Sequence, residues 1–412
     1  MSVATQRDTG AEGGARSPAR RHRVVIVGGG SAGISAAARL LRERRGLDVA
    51  IVEPSGRHYY QPLWTLVGGG VFDKRKSERR EDLLIPEGAT WVRDAVTELV
   101  PEENEVVTTG GRRIGYDFLV LAAGIQIDWD AIPGLAETIG TNGVASIYNY
   151  EQAGKTWDLI REFRGGTALF TFPSTPIKCP GAAQKIMYLA DDQFRKAGVR
   201  HRSNVIFASA APGIYGVEKY AKTLRKVVER NGIDTRFRHN LVAIRPEAKE
   251  AVFEQLDSGE TVVIAYDLLH VAPPQSAPDF IKRSPLAAES GWLDVDKHTL
   301  QHPRFPNVFA LGDASSLPTA KTAAAVCHQV PVLLANLLAA RAQQELPARY
   351  DGYTACPIVT GYGKLVLAEF DYNLTPKETF PFDQSKERRS MYQLKKRGLP
   401  LLYWQGMMRG RA

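Results

Sequence analysis

Residues 24–33 read Val24-Val25-Ile26-Val27-Gly28-Gly29-Gly30-Ser31-Ala32-Gly33, and the fold turns on this stretch. Four consecutive apolar residues predict a strand covered on both faces, as in a parallel sheet. The glycines follow at the spacing G-x-G-x-x-G, and the Ala-, Leu- and Arg-rich segment behind them predicts a helix to about Arg45. A second strand over 48–52 ends in Glu53, twenty positions past Gly33. Strand, glycine turn, helix, strand and acidic residue together predict a βαβ unit that binds a dinucleotide. Gly28 permits the tight turn, Gly30 lets the backbone approach a diphosphate, and Gly33 lets the helix pack closely on the strand. The free N–H groups of the helix start, at Ser31 and Ala32, would hold the phosphate charge. Glu53 would accept hydrogen bonds from a ribose diol and repel a 2′-phosphate.

Further along the chain, residues 92–108 alternate in polarity and predict a small antiparallel insertion. Residues 116–124 (YDFLVLAAG) predict a buried strand that leaves through Ala123 and Gly124, and Pro133-Gly134 closes the section. A second α/β segment starts near Thr167, with strands over 167–172, 204–209 and 234–238, helices over 181–196 and 215–231, and a hairpin over 240–266. Residues 308–313 (VFALGD) predict a last short strand before a helix from about Ala320. An Asp at 313, far from the first glycine loop, suits a hydrogen bond to a ribityl hydroxyl, with the next helix start facing a flavin pyrimidine. Gly312 and Asp313 therefore make the dinucleotide FAD. The fold class is α/β, with two Rossmann-like domains, the FAD domain discontinuous, and a C-terminal segment. The division is 1–22 as a disordered tail, 23–150 and 276–350 as the FAD domain, 151–275 as the second domain, and 351–412 as the region of the redox cysteine, quinone and membrane contact.

Composition narrows the functional classes. The 412 residues are 44% hydrophobic and 24% charged, as in ordinary globular proteins. The net charge of +8 sits at the ends: +3 over residues 1–23 and +7 from Lys386 onward leave about −2 between them. A nearly neutral body argues against nucleic acid. The first residues have no apolar core of a secretory signal, and Asp8 and Glu12 count against a mitochondrial transit peptide. The most apolar window, 323–340, is interrupted by His328, Gln329, Pro331 and Asn336, so any membrane contact is expected on one surface. No CxxC or HxxxH spacing occurs, which disfavours zinc, and no metal site is expected.

A second glycine fingerprint, needed for a nicotinamide cofactor in the inserted domain, is missing. The strand over 167–172 runs instead into Pro173-Ser174-Thr175-Pro176-Ile177-Lys178-Cys179-Pro180-Gly181. Electrons must then come from another donor. Cys179, beside Lys178 and just before a helix start, should have a lowered pKa and thiolate character. Cys356 sits in a loop-like Tyr353-Thr354-Ala355-Cys356-Pro357, whereas Cys327 and His328, in an Ala- and Val-rich run, read as packing.

The glycine loop, 116–124 and Gly312-Asp313 resemble the flavoprotein disulfide reductase superfamily. Seven longer blocks resemble, more narrowly, the sulfide:quinone oxidoreductases of the two-cysteine type found in mitochondria and bacteria. They are 60–69 (YQPLWTLVGG), 172–179 (FPSTPIKC), 184–188 (QKIMY), 321–325 (KTAAA), 354–362 (TACPIVTGY), 367–372 (LAEFDY) and 380–388 (FPFDQSKER). The resemblance implies that Cys179 and Cys356 form a redox-active disulfide beside the flavin, or a sulfur-bridged equivalent. It also implies that hydrogen sulfide opens this bond to leave a persulfide on Cys356. The Cys179 thiolate then passes an electron pair to FAD, a quinone collects it, and glutathione or sulfite takes the sulfane sulfur. Lys185 would steady hydrosulfide or thiolate charge, and Gln61 and Lys321 would join the cofactor contacts. The family further implies peripheral attachment, at a bacterial cytoplasmic membrane or alternatively the mitochondrial inner membrane, and allows a homo-oligomer. A type II NADH:quinone dehydrogenase and a non-catalytic FAD-binding scaffold are the rival readings.

Overall fold

The structure, a computed structural model, describes residues 20–412. The expected disordered tail lies outside the described residues up to 19. Arg20, Arg21 and His22 already belong to the first strand, Arg20–Val27, paired in parallel with Ile114, Gly115 and Tyr116. Carboxylates lie beside the basic residues at 21–23. Arg21 and Arg23 donate to Asp117 at 2.8 and 2.6 Å, and buried His22 lies 2.8 Å from Asp48.

Two sheets organise the molecule, the larger mixed and the smaller parallel. The larger has seven strands, in the order Ala89–Val92, Val49–Val52, Arg20–Val27, Arg113–Leu121, Glu105–Thr108, Val96–Val100, with Val308–Ala310 also paired to Arg113–Leu121. The antiparallel insertion expected over 92–108 is the hairpin of Val96–Val100 and Glu105–Thr108. Residues 89–92 instead pair in parallel with Val49–Val52. The second sheet runs Val144–Ala145, Leu268–His270, Gly166–Phe172, Ser203–Ser209, Asp234–Phe237, so it takes in residues ahead of 151. A three-stranded antiparallel sheet, from His239–Arg245, Glu250–Gln255 and Thr261–Ala265, stands where a simple hairpin was expected.

The register of the large sheet sets the site. Val27 pairs with Leu121, and Leu121 with Ala310, all in parallel. Three strands therefore end side by side at one edge, bringing together Gly28, Ala123, Gly124, Gly312 and Asp313, 285 positions apart in sequence at the extremes. Ligands of such sheets bind outside these carboxyl ends.

A hairpin of Thr354–Gly361 and Lys364–Phe370 joins the two halves. Its side chains alternate in the period-two manner of a strand. Ala355, Val359, Leu365 and Leu367 pack into the core of the large sheet, and Cys356, Ile358, Val366 and Ala368 into that of the second. The helix Ala323–Arg341 is long and apolar enough to cross a bilayer by length and composition alone. Its position is internal: buried Gln329 accepts from the Gly312 N–H at 2.8 Å, and buried Asn336 donates to the carbonyls of Thr299 and Ala348 at 2.9 Å each.

The basic end of the chain is folded. Short helical turns from Arg389 to Arg409 bury Met391, Tyr392, Tyr403, Met407 and Met408 in the core of the large sheet.

Candidate active site

Cys179 leaves the Gly166–Phe172 strand through a loop and precedes the helix Ala182–Lys196. Its φ of 47° lies in the left-handed region, costly for a residue with a Cβ. Surrounding bonds hold it there. Its N–H donates to the Lys321 carbonyl at 2.8 Å, and its carbonyl accepts from Ala182 at 2.8 Å. Strain maintained in this way is typical of functional residues.

In the same core, on the strand Thr354–Gly361, Cys356 is 2% exposed. The two thiols are free and hydrogen-bond to each other. Gly181 makes this approach possible, since a Cβ on it would lie 2.5 Å from the Cys356 sulfur. One helical turn on, the Lys185 ammonium, 1% exposed, donates to the Cys179 sulfur at 3.1 Å.

These contacts divide the protons unequally. The hydrogen bond from Cys356 pulls the Cys179 pKa well below its ordinary value; burial opposes this, and the Lys185 charge reinforces it. Cys356 is pushed well above its ordinary value by the same hydrogen bond and by burial. Burial alone would discharge Lys185, but the sulfurs beside it hold its ammonium above the usual lysine range. The outcome is a thiolate at Cys179, a protonated thiol at Cys356 and a buried cation between them and the helix. Thiolates are the nucleophiles and electron donors of thiol chemistry.

Other groups at this site carry no recognisable local signal in the sequence. The Tyr215 hydroxyl hydrogen-bonds Cys356, and burial raises its pKa well above the ordinary value. Lys395, 4% exposed, reaches in from the C-terminal region and donates to the Pro62 carbonyl at 3.2 Å. Burial and the neighbouring Lys185 bring its pKa down to about 7. Lys395 stands in the run Lys395-Lys396-Arg397, which in sequence has the character of a solvated surface.

The edge of the large sheet provides the cradle expected for FAD, and its residues fit the group. Gly28, at φ 104°, could take no side chain, because a Cβ would lie 2.5 Å from the Ala122 carbonyl oxygen. A Cβ on Gly33 would lie 1.8 Å from the Gly28 carbonyl oxygen. Gly30 and Gly124, by contrast, face open space, with nothing within 4 Å of where a Cβ would stand. Closed packing at the outer glycines and room above Gly30 is the shape a diphosphate requires. Ala32 at the helix start lies against Gly312, whose Cβ would meet it at 3.1 Å, so the two distant motifs touch.

The remaining expected cofactor residues lie as follows. Glu53 accepts from the N–H groups of Gly29 and Ser55 at 2.7 Å each, and burial raises its pKa. It braces the glycine loop directly, a contact not anticipated from its ribose role. Asp313 is raised by burial against the pull of Lys321 and Lys178. Lys321 donates to the carbonyls of Asp313 and Ser315 at 2.6 and 3.1 Å, lies over the Trp292 ring, and is lowered by burial to about 8. Ser31 points its hydroxyl at Tyr403, Ala123 is half-buried with its Cα 3.0 Å from where a Cβ on Gly28 would stand, and Gln61 is exposed at the start of the turn Gln61–Leu63.

The chain is similar to known proteins along most of its length. The family model described as pyridine nucleotide-disulphide oxidoreductase matches residues 22–157 and 190–326. The unmatched stretch between them contains Cys179 and the proline-rich loop. A mouse (Mus musculus) protein named sulfide:quinone oxidoreductase, mitochondrial, is 50% identical over 96% of this chain and 89% of its own length. A Dictyostelium discoideum protein of the same name is 48% identical over 94% and 86%. The crystal structure of the sulfide:quinone oxidoreductase of Aquifex aeolicus superposes with a TM-score of 0.79 at 18% identity, covering 95% of this chain and 92% of that one, and shows the shared fold. The chain belongs to the sulfide:quinone oxidoreductases, within the pyridine nucleotide-disulphide oxidoreductase family.

Proposed function

We propose that the protein oxidises hydrogen sulfide to sulfane sulfur through Cys179 and Cys356 and delivers the two electrons to a quinone. The observation that carries this reading is the buried pair of sulfurs with Lys185 at 3.1 Å from Cys179. FAD is the cofactor, and when bound it supplies a two-electron acceptor for thiol oxidation and a donor for the quinone. The chain's own residues do the rest. In the oxidised enzyme, hydrosulfide attacks the Cys356 sulfur of a Cys179–Cys356 disulfide, and that S–S bond breaks. Cys356 then carries the persulfide, and Cys179 leaves as the thiolate beside the Lys185 ammonium. An acceptor nucleophile such as glutathione or sulfite takes the outer sulfur and returns Cys356 to a thiol. Loss of two electrons and the thiol proton re-forms the disulfide. A good leaving thiolate has a low pKa, which suits Cys179 to this part.

The roles of Gly28, Gly30, Ser31, Ala32, Gly33, Glu53, Gln61, Ala123, Gly124, Gly312, Asp313 and Lys321 toward FAD belong to the same proposal, as does the division of the chain at 23–150, 151–275, 276–350 and 351–412. A peripheral membrane position is supported by the basic, partly apolar C-terminal region. The relatives named as mitochondrial proteins favour the mitochondrial inner membrane; nothing in them supports the bacterial cytoplasmic membrane expected first. The NADH dehydrogenase and scaffold readings are not favoured, given relatives of such high identity.

Anaerobic titration tests the proposal. Sulfide should bleach the flavin absorbance of the purified protein, and NADH should leave it unchanged. Cys179→Ser should abolish the bleaching. Bleaching of that variant at the wild-type rate would sink the cysteine mechanism.

A further inference from the structure

The glycine loop is held by side chains from two distant parts of the chain, residues 53–58 and Tyr403. Glu53 takes the Gly29 N–H. His58, 3% exposed, sets its Nδ1 at 3.1 Å from the Gly29 carbonyl and its Nε2 at 2.6 Å from the Tyr403 hydroxyl. That hydroxyl is also 2.7 Å from the Ser31 Oγ. The donors can be arranged in one consistent chain for a neutral imidazole. Nδ1–H donates to Gly29, the Tyr403 O–H donates to Nε2, and the Ser31 O–H donates to Tyr403. Each hydrogen is used once, and the Ser31 and Gly29 orientations are fixed together.

Tyr403 is itself immobilised. It is 1% exposed, packs against Tyr60 with ring centres 4.4 Å apart, and meets Trp404 edge-on at 4.9 Å. Seven residues on, a Cβ on Gly410 would lie 2.5 Å from the Arg39 nitrogen, so the chain end is wedged onto the helix that follows the glycine loop. Beside this network, Glu81 is 1% exposed, with one carboxylate oxygen 3.3 Å from His58 and the other lacking a hydrogen-bond partner.

We infer that Tyr403 is a positioning residue for the cofactor: through Ser31 and His58 it holds the diphosphate-binding loop in shape, so that retention of FAD depends on docking of the C-terminal region. This rests on the FAD reading above. The loop's free N–H groups bind a diphosphate only while they converge, and a loop that relaxes loses this preorganisation. The C-terminal turns thus act as a clasp on the dinucleotide as well as a cover for the core.

FAD release from the purified holoprotein, followed by the rise in fluorescence of free flavin, provides the test. Tyr403→Phe keeps the ring and removes the hydroxyl; it should release FAD about tenfold faster, the scale of one buried hydrogen bond. Ser31→Ala should do the same, and the double variant should be no faster than either single one, because both break one chain. Tyr403→Phe should lower the melting temperature of the FAD-loaded protein more than that of the FAD-stripped protein, because both lose the buried hydrogen bonds and only the first also loses cofactor affinity. Release of Tyr403→Phe at the wild-type rate, multiplicative effects in the double variant, or an equal loss of stability with and without FAD would each overturn the inference. A wild-type protein that neither purifies with flavin nor takes up added FAD would overturn the cofactor reading itself.

Discussion

Lys185 and Lys395 both carry an amine into a buried space near the sulfurs, and their charges fare differently. Lys185 faces a thiolate and stays protonated; Lys395 faces Lys185 and sits near 7. The Cys179 thiolate exists above its depressed pKa and is lost as pH falls through it, so removing a cation that stabilises it must move the transition to higher pH. Lys185→Met should raise the midpoint of the pH profile for iodoacetamide alkylation of Cys179 by one unit or more. At any pH well below both midpoints the rate should fall about tenfold, since one unit is a factor of ten. An unmoved midpoint, read by mass spectrometry of the Cys179 peptide, would show that Lys185 does not stabilise the thiolate. Local sequence singled out Cys179 for a lowered pKa but credited Lys178 with it, whereas the structure assigns it to the hydrogen bond from Cys356 and the charge of Lys185. The meeting of Cys179 with Cys356 was not legible that way, because a hairpin shared between two cores brings the second sulfur in. The buried position of Lys395 has the same origin: it depends on the packing of the chain end, which a charge run does not reveal.

The glycine loop and its helix form the element most completely legible in the sequence, because every position in it answers to a local steric demand. The structure separates two of those demands. Gly30 has φ −71°, an ordinary value for any residue, and open space above it. Gly33 has a carbonyl oxygen where a Cβ would go. Gly30→Ala should therefore fold, melt like the FAD-stripped wild type and lack flavin absorbance, since the added methyl occupies diphosphate space. Gly33→Ala should lower the melting temperature of the FAD-stripped protein as well, because helix and strand must separate. A Gly30→Ala protein that keeps its full flavin band would show that the cofactor does not lie over this loop. Element ends were less legible than element identities. The helix expected from 215 starts at Glu218, and the first strand reaches back to Arg20, with Arg21 and Arg23 paired to Asp117.

At the scale of the whole molecule, the chain end has two faces of different character. Tyr403, Met407 and Met408 are buried in the core of the large sheet, whereas Leu401 and Leu402 are 64% and 47% exposed. Lys396 and Arg397 stand close by in sequence, within the stretch from Lys386 that carries +7. Exposed leucines flanked by basic residues suit an anionic lipid surface, where each cation near the surface contributes about 1 kcal/mol and the apolar side chains add more by insertion. The sequence pattern showed the charge and the apolar cluster, but not which leucines face outward; that follows from the burial of Tyr403 between them and the glycine loop. The Leu401→Glu/Leu402→Glu double variant should cosediment with anionic phospholipid vesicles at least tenfold less than wild type. Wild-type binding should itself weaken as salt rises, because the basic contribution is screened. Sulfide should still bleach the flavin of the double variant in solution, while its rate with quinone embedded in vesicles falls in step with binding. A variant that binds vesicles like wild type would place the membrane face elsewhere on the molecule. One that loses flavin bleaching as well would show that these leucines support the fold of the clasp rather than the surface it presents.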